Sequence, residues 1–483
     1  MQGIAQLAVE EALRAGADYA DARIQRLACE ELTMQDGSLV RADAPEDFGL
    51  GVRVLKDGAW GFAAAPGTHK DLAEVAPGLA RRAVKTGRDL GRLRTKPVQL
   101  APLEGQVGEW STPVEEDPFA VSLEEKLGLM KQADESMQGR DEIVSRVVNL
   151  SLRREEQWQA SSEGSQLHQV LVRSGGGLAA TASAHGVVER RSYPASFSGN
   201  FMAGGFEVVR AMDLPANGGR MRDEAADLCS APLCPEGPHT LILGGSQLCL
   251  QIHESVGHPT ELDRVLGHEV DLAGASFATR NHLGNLEYGS SLVNLQADST
   301  LPGGLDTRGW DDDCVPSGSW PIVKEGVFKG YQTNREVAGA VDESTSRGCS
   351  RAESWYDPPI VRITNLSLQP GKMSFDEMVA NTEDGAIFAD SVRTWSIDQR
   401  RVNFQFTCEV AREVQGGRLG RLLRRPTYQG NTTSFWGSCD AICSAEHFHL
   451  WGVANCGKGN PMQVAEMTHG AAPARFRGVQ FIQ

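Results

Sequence analysis

Long apolar runs are missing from this chain. No window of its 483 residues approaches the roughly eighteen uncharged apolar residues that a membrane-spanning helix requires, so no span is expected. A secretory leader is missing as well: Met1 to Leu13 carries two acids, no basic segment and no extended apolar core, which makes the cytoplasm the expected compartment. Positive charge is scarce. Against 63 Asp and Glu stand 47 Lys and Arg, a formal net charge of −16 that repels phosphates over most of the surface and argues against nucleic acid as a partner. The one basic cluster, Arg418 to Arg425, is expected to be a solvated turn. The ten Cys lack the dense spacing of a disulfide scaffold, so they read as buried thiols with room for one metal ligand among them. No repeat of fixed period and no low-complexity tract occurs.

With 40% hydrophobic and 23% charged residues the composition is that of a globular protein, and the length calls for two domains. Ile4, Leu7, Ala8 and Ala12 recur at helical spacing before Gly16, as do Leu72, Val75, Leu79 and Ala83 over residues 69–87; residues 123–137 form a further helix. Alternating runs mark strands at 22–27 and 49–55, the second ending in the turn Lys56-Asp-Gly58. Four more strands are expected at 143–152, 156–161, 165–173 and 177–190, with the Pro-punctuated stretch Thr95–Pro118 irregular and 213–238 a connection around a short helix. The expected fold class is α+β. Residues 1–220 make an N-terminal helix-flanked antiparallel sheet, and residues 235–483 a C-terminal curved, mostly antiparallel β domain.

The chemistry concentrates at Gln251–His258, QIHESVGH, where two imidazoles and a carboxylate fall within six residues behind the buried strand 240–243. Ser246 is the expected N-cap of the helix bearing His253, with Leu248, Ile252 and Val256 on its apolar face. In the H-E-x-x-H signature the histidines stand four apart, about 40° from one another around the axis, and reach one ion. His258 follows His253 by five, which in a regular helix splays the rings by about 140°. One ion can bridge them only if the turn is widened or the helix ends between them. Gly257 tolerates unusual backbone and Pro259 pushes His258 away from helical geometry, so a widened turn or helix end is expected at Val256–His258. On spacing alone the pair reads equally as ordinary polar residues near a helix end.

The run His253–Asp263, HESVGHPTELD, resembles the signature of the TldD branch of the TldD/PmbA (TldD/TldE) metalloproteases, a family once labelled gyrase modulators. Three other segments are similar to that family: Ala15–Arg23 (AGADYADAR), Arg351–Gly371 (RAESWYDPPIVRITNLSLQPG), and the ending Asn455–Gln463 (NCGKGNPMQ) with His469–Arg477 (HGAAPARFR). The likeness thus spans nearly the whole chain. Two departures, Pro259 after His258 and a stretch Ser391–Phe406 without the family's glycine-rich form, bear on substrate and partner more than on metal chemistry.

A catalytic zinc takes three protein ligands and keeps a position open. Among the candidates Cys249 reads as a buried thiol, and Cys439 with Cys443 has a spacing just wider than a zinc knuckle; nothing in the sequence singles out Cys456. The resemblance does, because the matched ending carries the family's Cys ligand there, with Lys458 close enough to favour the thiolate. What the resemblance implies is a metallopeptidase with one Zn2+ on His253, His258 and Cys456 and with Glu254 as general base, acting on peptides or unfolded polypeptide. It implies a homodimer, or a heterodimer with a TldE-like subunit. Glu261 and Asp263 are either carboxylates orienting a ligand histidine or plain surface acids; His447, His449 and His469 carry no assigned role. Two other readings stand beside this one: a non-catalytic regulatory subunit of such a complex, and a structural zinc, which would need a fourth ligand. Asp311–Asp313 reads as a charged loop.

Overall fold

The computed structural model describes residues 1–94 and 96–483. It is an α+β protein. Nine strands from the first 203 residues form one sheet, centred on three long strands, Tyr19–Gln35, Ile143–Ser161 and Gln166–Ala184, and antiparallel except where Val107–Ser111 joins its edge. Along Tyr19–Gln35 the period of two separates the faces: Ala20, Ala22 and Ile24 meet the helices Gln2–Arg14 and His69–Gly91, while Asp21, Arg23 and Gln25 are buried on the other side. That polar face is covered by the second half of the chain. Arg23 pairs with Asp312 at 2.7 Å, Arg53 with Asp313 at 2.6 Å, and Gln159 Nε2 donates to Asp312 Oδ1 at 3.0 Å. Asp311 to Asp313 is therefore a buried ionic joint, not a charged loop.

The expected helices lie at Gln2–Arg14, His69–Gly91 and Leu123–Ser136. Residues 143–152 and 156–161 belong to one strand; 165–173 runs on through Gly175, Gly176 and Gly177 to Ala184, and the rest of the expected 177–190 strand lies beyond a turn, in Val187–Tyr193, which pairs back on it. These glycines are a crossing point instead of a break. A Cβ on Gly175 would lie 2.2 Å from Asn200 O, and one on Gly177 would lie 2.4 Å from Gly199 Cα, where Asn200–Ala203 passes. The 213–238 connection holds a helix of 15 residues, Leu214–Leu228, which buries Leu214, Met221 and Ala225 against the same sheet. The 95–118 stretch is irregular apart from Val107–Ser111, and Thr95 lies outside the described residues. Arg418 to Leu423 is a strand, not a turn, paired with Asn403–Gln415.

Beyond residue 237 five strands close on themselves: Gly237–Leu243, Ile387–Ile397, Asn403–Gln415, Thr427–Asn431 and Ala474–Ile482, the last pairing back to the first. Only the first pairing is parallel. The curved β region is thus a small barrel. Leu241 and Leu243 point to a core with Phe404, Phe406, Tyr428 and Phe476, while Ile242 between them faces Met378, Val414 and Ala441. Among the described residues no helix is long and apolar enough to cross a membrane.

Candidate metal centre

Strand Gly237–Leu243 feeds directly into helix Gly245–Ile252, every residue of which is buried. Ser246 is not its N-cap. The helix starts after Gly244, and its orphan donors turn to Asp390 on the neighbouring strand: Ser246 Oγ donates to Asp390 Oδ1 at 2.7 Å and Gln247 N at 3.2 Å. A helix buried on all sides should be apolar all round, yet Gln247 and Gln251 lie within it. Tyr428 bonds both, accepting from Gln247 Nε2 and donating to Gln251 Oε1, each at 3.0 Å, which ties the helix to the barrel strand Thr427–Asn431.

His253–Gly257 is a single π turn, closed by His258 N–H donating to His253 O, and His258–Thr260 follows as a 3₁₀ turn. The widened turn therefore begins three residues earlier than expected and overlaps the expected stretch at Val256 and Gly257. One i→i−5 turn absorbs the extra residue, so side chains five apart stand one above the other. The two rings are 4.7 Å apart, centre to centre, and inclined at 78°. Two expectations fail here. His258 keeps helical angles, φ −61 and ψ −42, with Pro259 accommodated in the first turn of the 3₁₀ segment. Gly257 is helical too, at φ −57; a glycine is required because a Cβ would lie 2.9 Å from Ile363 Cδ1.

Hydrogen bonds behind the rings decide which nitrogens carry protons. His469 Nδ1 faces Leu366 O at 2.9 Å, and a carbonyl only accepts, so the proton is on Nδ1 and Nε2 is the acceptor. His253 Nδ1, 2.9 Å from that Nε2, must then be the donor, which leaves His253 Nε2 with a free lone pair. His258 Nδ1 donates to Glu261 Oε2 at 2.8 Å, freeing its own Nε2. Burial lowers the proton affinity of all three histidines, keeping them neutral near pH 7. Glu261 is no surface acid. Although burial pushes its carboxyl up, Lys458, His258 and Arg264 hold it well below the usual carboxylate range.

Cys456 enters on strand His449–Lys458, which is bulged between Val453 and Cys456. Its sulfur lies 3.6 Å from His258 Nε2. One donor atom from each of His253, His258 and Cys456 falls within 4.8 Å of the other two. Burial raises this thiol's pKa, but His258 and the Arg362 guanidinium bring it below its ordinary value. The Lys458 amine makes its hydrogen bonds to other groups than this sulfur. It is fully buried and donates to Glu261 Oε1 at 3.1 Å, to both oxygens of Asp263 at 2.8 Å, and to Val361 O at 2.7 Å. Lys458 and Asp263 therefore set the support of His258. Burial pushes the Cys249, Cys439 and Cys443 thiols up to about 12, as inert interior sulfurs.

The donor set faces a cleft of about 760 Å³, walled also by Glu254, Arg401, Trp395, Phe197 and Trp451. Glu254 Oε2 accepts from Arg401 Nη1. Sequence spacing gave no sign of Arg401, Arg362 or Lys458's true contacts, because each arrives from a distant segment; His469 was marked only by its place in the ending run. His447 and His449 do not line the cleft: His447 Nε2 accepts from Phe375 N at 3.0 Å, and His449 lies edge-on to Trp451.

An imidazole pair with directed lone pairs and a lowered thiol fit a thiophilic divalent ion, and comparison with known proteins agrees. Residues 238–479 match the PmbA/TldA metallopeptidase C-terminal domain, 116–229 the central domain and 20–86 domain 1. The chain is 28% identical to a metalloprotease of Methanocaldococcus jannaschii, over 93% of this chain and 94% of the relative. It is 25% identical to a TldD-homologue metalloprotease of Haemophilus influenzae, over 91% and 88%. The fold is shared with a Thermotoga maritima crystal structure described as a candidate modulator of a DNA gyrase, at a TM-score of 0.77, 16% identity and 99% of both chains. The chain therefore belongs to the PmbA/TldD metallopeptidase family, and the His253, His258 and Cys456 group marks it as a TldD-like, catalytic-branch member.

Proposed function

We propose that the chain is a zinc-dependent peptidase acting on peptides or unfolded polypeptide segments, with His253 Nε2, His258 Nε2 and Cys456 Sγ as the metal ligands. The convergence of one donor atom from each of the three residues within 4.8 Å carries the reading. Two nitrogens and a sulfur suit zinc, and three protein ligands leave the open position of a catalytic site. Zinc held there supplies water acidification near neutral pH and polarisation of a peptide carbonyl. The chain's own residues do the rest. His469 and Glu261 fix the tautomers of the ligand rings, and Glu254, the next residue after His253 and part of the cleft wall, takes the water proton and returns it to the leaving amine.

The cleft's mixed wall, aromatic at Phe197, Trp395 and Trp451 and polar elsewhere, suits an extended chain. A dimer, with itself or with a TldE-like subunit, completes the proposal; sedimentation with and without such a protein distinguishes the two. Neither nucleic acid nor membrane enters as a partner. The direct test is Glu254→Gln: the variant is expected to keep about one zinc per chain while peptide cleavage falls at least ~100-fold. Unchanged turnover removes Glu254 from the mechanism, and a wild-type protein that holds zinc but cleaves no peptide favours a regulatory subunit.

A further inference from the structure

Arg401 occupies the tip of the hairpin joining Ile387–Ile397 to Asn403–Gln415, at φ +64. That left-handed conformation is strained for a non-glycine residue, and here it is imposed from several directions. Asp398 accepts the N–H groups of Arg400, Val402 and Asn403 at 2.9, 3.0 and 2.8 Å, and Arg401 N donates to Asp398 O at 2.9 Å. From outside, Thr432 Oγ1 donates to Arg401 O at 2.7 Å, while Ala275 N and Phe277 N donate to Gln399 O and Arg400 O. A rigid turn thus holds an arginine where glycine or asparagine would sit without strain. Its side chain lines the cleft beside His253, Glu254, His258 and Cys456.

The guanidinium is underused. Only Nη1 is engaged, on Glu254, and Nε is buried with no partner. A single bond to Glu254 leaves Nη2 without a hydrogen bond in a residue that lines the cleft faced by the donor triad.

We infer that Arg401 receives the negative charge that develops on the scissile carbonyl oxygen. This rests on the peptidase reading. In the addition step the water oxygen bonds to the carbonyl carbon, the carbonyl π pair moves onto the oxygen opposite Arg401, and one water proton passes to Glu254. In the collapse the C=O bond re-forms, the C–N bond breaks and Glu254's proton goes to the amine nitrogen. Arg401 stabilises the charged stage more than the substrate, which is the requirement for raising turnover.

Arg401→Asn keeps a residue that accepts the left-handed turn, and Arg401→Lys keeps the charge without the fork. Zinc content, kcat, KM and the affinities of two zinc-loaded complexes are measured: one with a tetrahedral phosphinic pseudopeptide, one with the same sequence as an uncleaved D-residue peptide. The expected result for Arg401→Asn is unchanged zinc, KM and D-peptide affinity within about twofold, and kcat and phosphinate affinity each lower by about 100- to 1000-fold. Arg401→Lys should recover part of both. Equal losses for the two ligands, or an undiminished kcat, overturn the inference while leaving the peptidase reading intact. A wild-type enzyme that cleaves nothing removes both.

Discussion

The free lone pair on His253 exists because a carbonyl two residues removed in the relay, Leu366 O, can only accept. His469→Ala breaks that relay and lets His253 take either tautomer. Zinc affinity, read by competition with a chromogenic chelator, is expected to fall about 10- to 100-fold with the fold retained; an unchanged affinity would show that His469 does not set the ring. At this scale the sequence was informative where residues are neighbours and mute where they are not. His253, Glu254 and His258 stand out from spacing, and Cys456 from its family position. A lysine two residues from a cysteine on a strand shares its face and suggests a partner for the sulfur, whereas the amine makes its bonds to Glu261 and Asp263, which arrive from a distant segment. Arg401, 147 residues beyond Glu254, has no local signature at all.

At the scale of elements, the π turn is what makes a five-residue spacing chemically useful. Its existence was legible from His253 and His258 alone; its position was not, because Gly257 and Pro259 suggested backbone distortion at sites that are helical. Gly257 answers to packing instead. Gly257→Ala is expected to destabilise the protein by about 1–3 kcal/mol through contact with Ile363, and Gly257→Ala with Ile363→Val to recover much of it. Urea unfolding measures both; a neutral single variant would mean that the π turn can shift to make room. The break expected within the strand Gln166–Ala184 has a similar origin. Glycines at 175–177 signal a break by composition, and only the passing strand Asn200–Ala203 shows that they permit a close crossing.

At the scale of the molecule, the first sheet buries charge on its polar face, and the second half of the chain supplies the counter-charges. Glu155 lies there. Burial raises its carboxyl, but Arg173, Arg153 and Arg308 bring it to about 2 from 4.5. Because the folded value is the lower one, its contribution is complete above pH 4.5 and is lost as pH falls toward 2, an amount on the order of 3 kcal/mol. Glu155→Gln should therefore flatten the acid limb of a stability-against-pH curve in that window; an unaltered limb would contradict the pairing. The alternation at residues 22–27 marks a strand of this sheet in the sequence, but nothing local says that another part of the chain covers its polar face.

The central claim is that His253, His258 and Cys456 grip one divalent ion and leave a position open. X-ray absorption at the zinc edge of the purified protein tests it most directly. The expected spectrum has one sulfur scatterer at about 2.3 Å, two imidazoles at about 2.0–2.1 Å and one further oxygen from solvent. Cys456→Ser should abolish the sulfur contribution alone. A spectrum without sulfur in the wild-type protein, or one whose four positions are all filled by cysteine and histidine, would contradict the account.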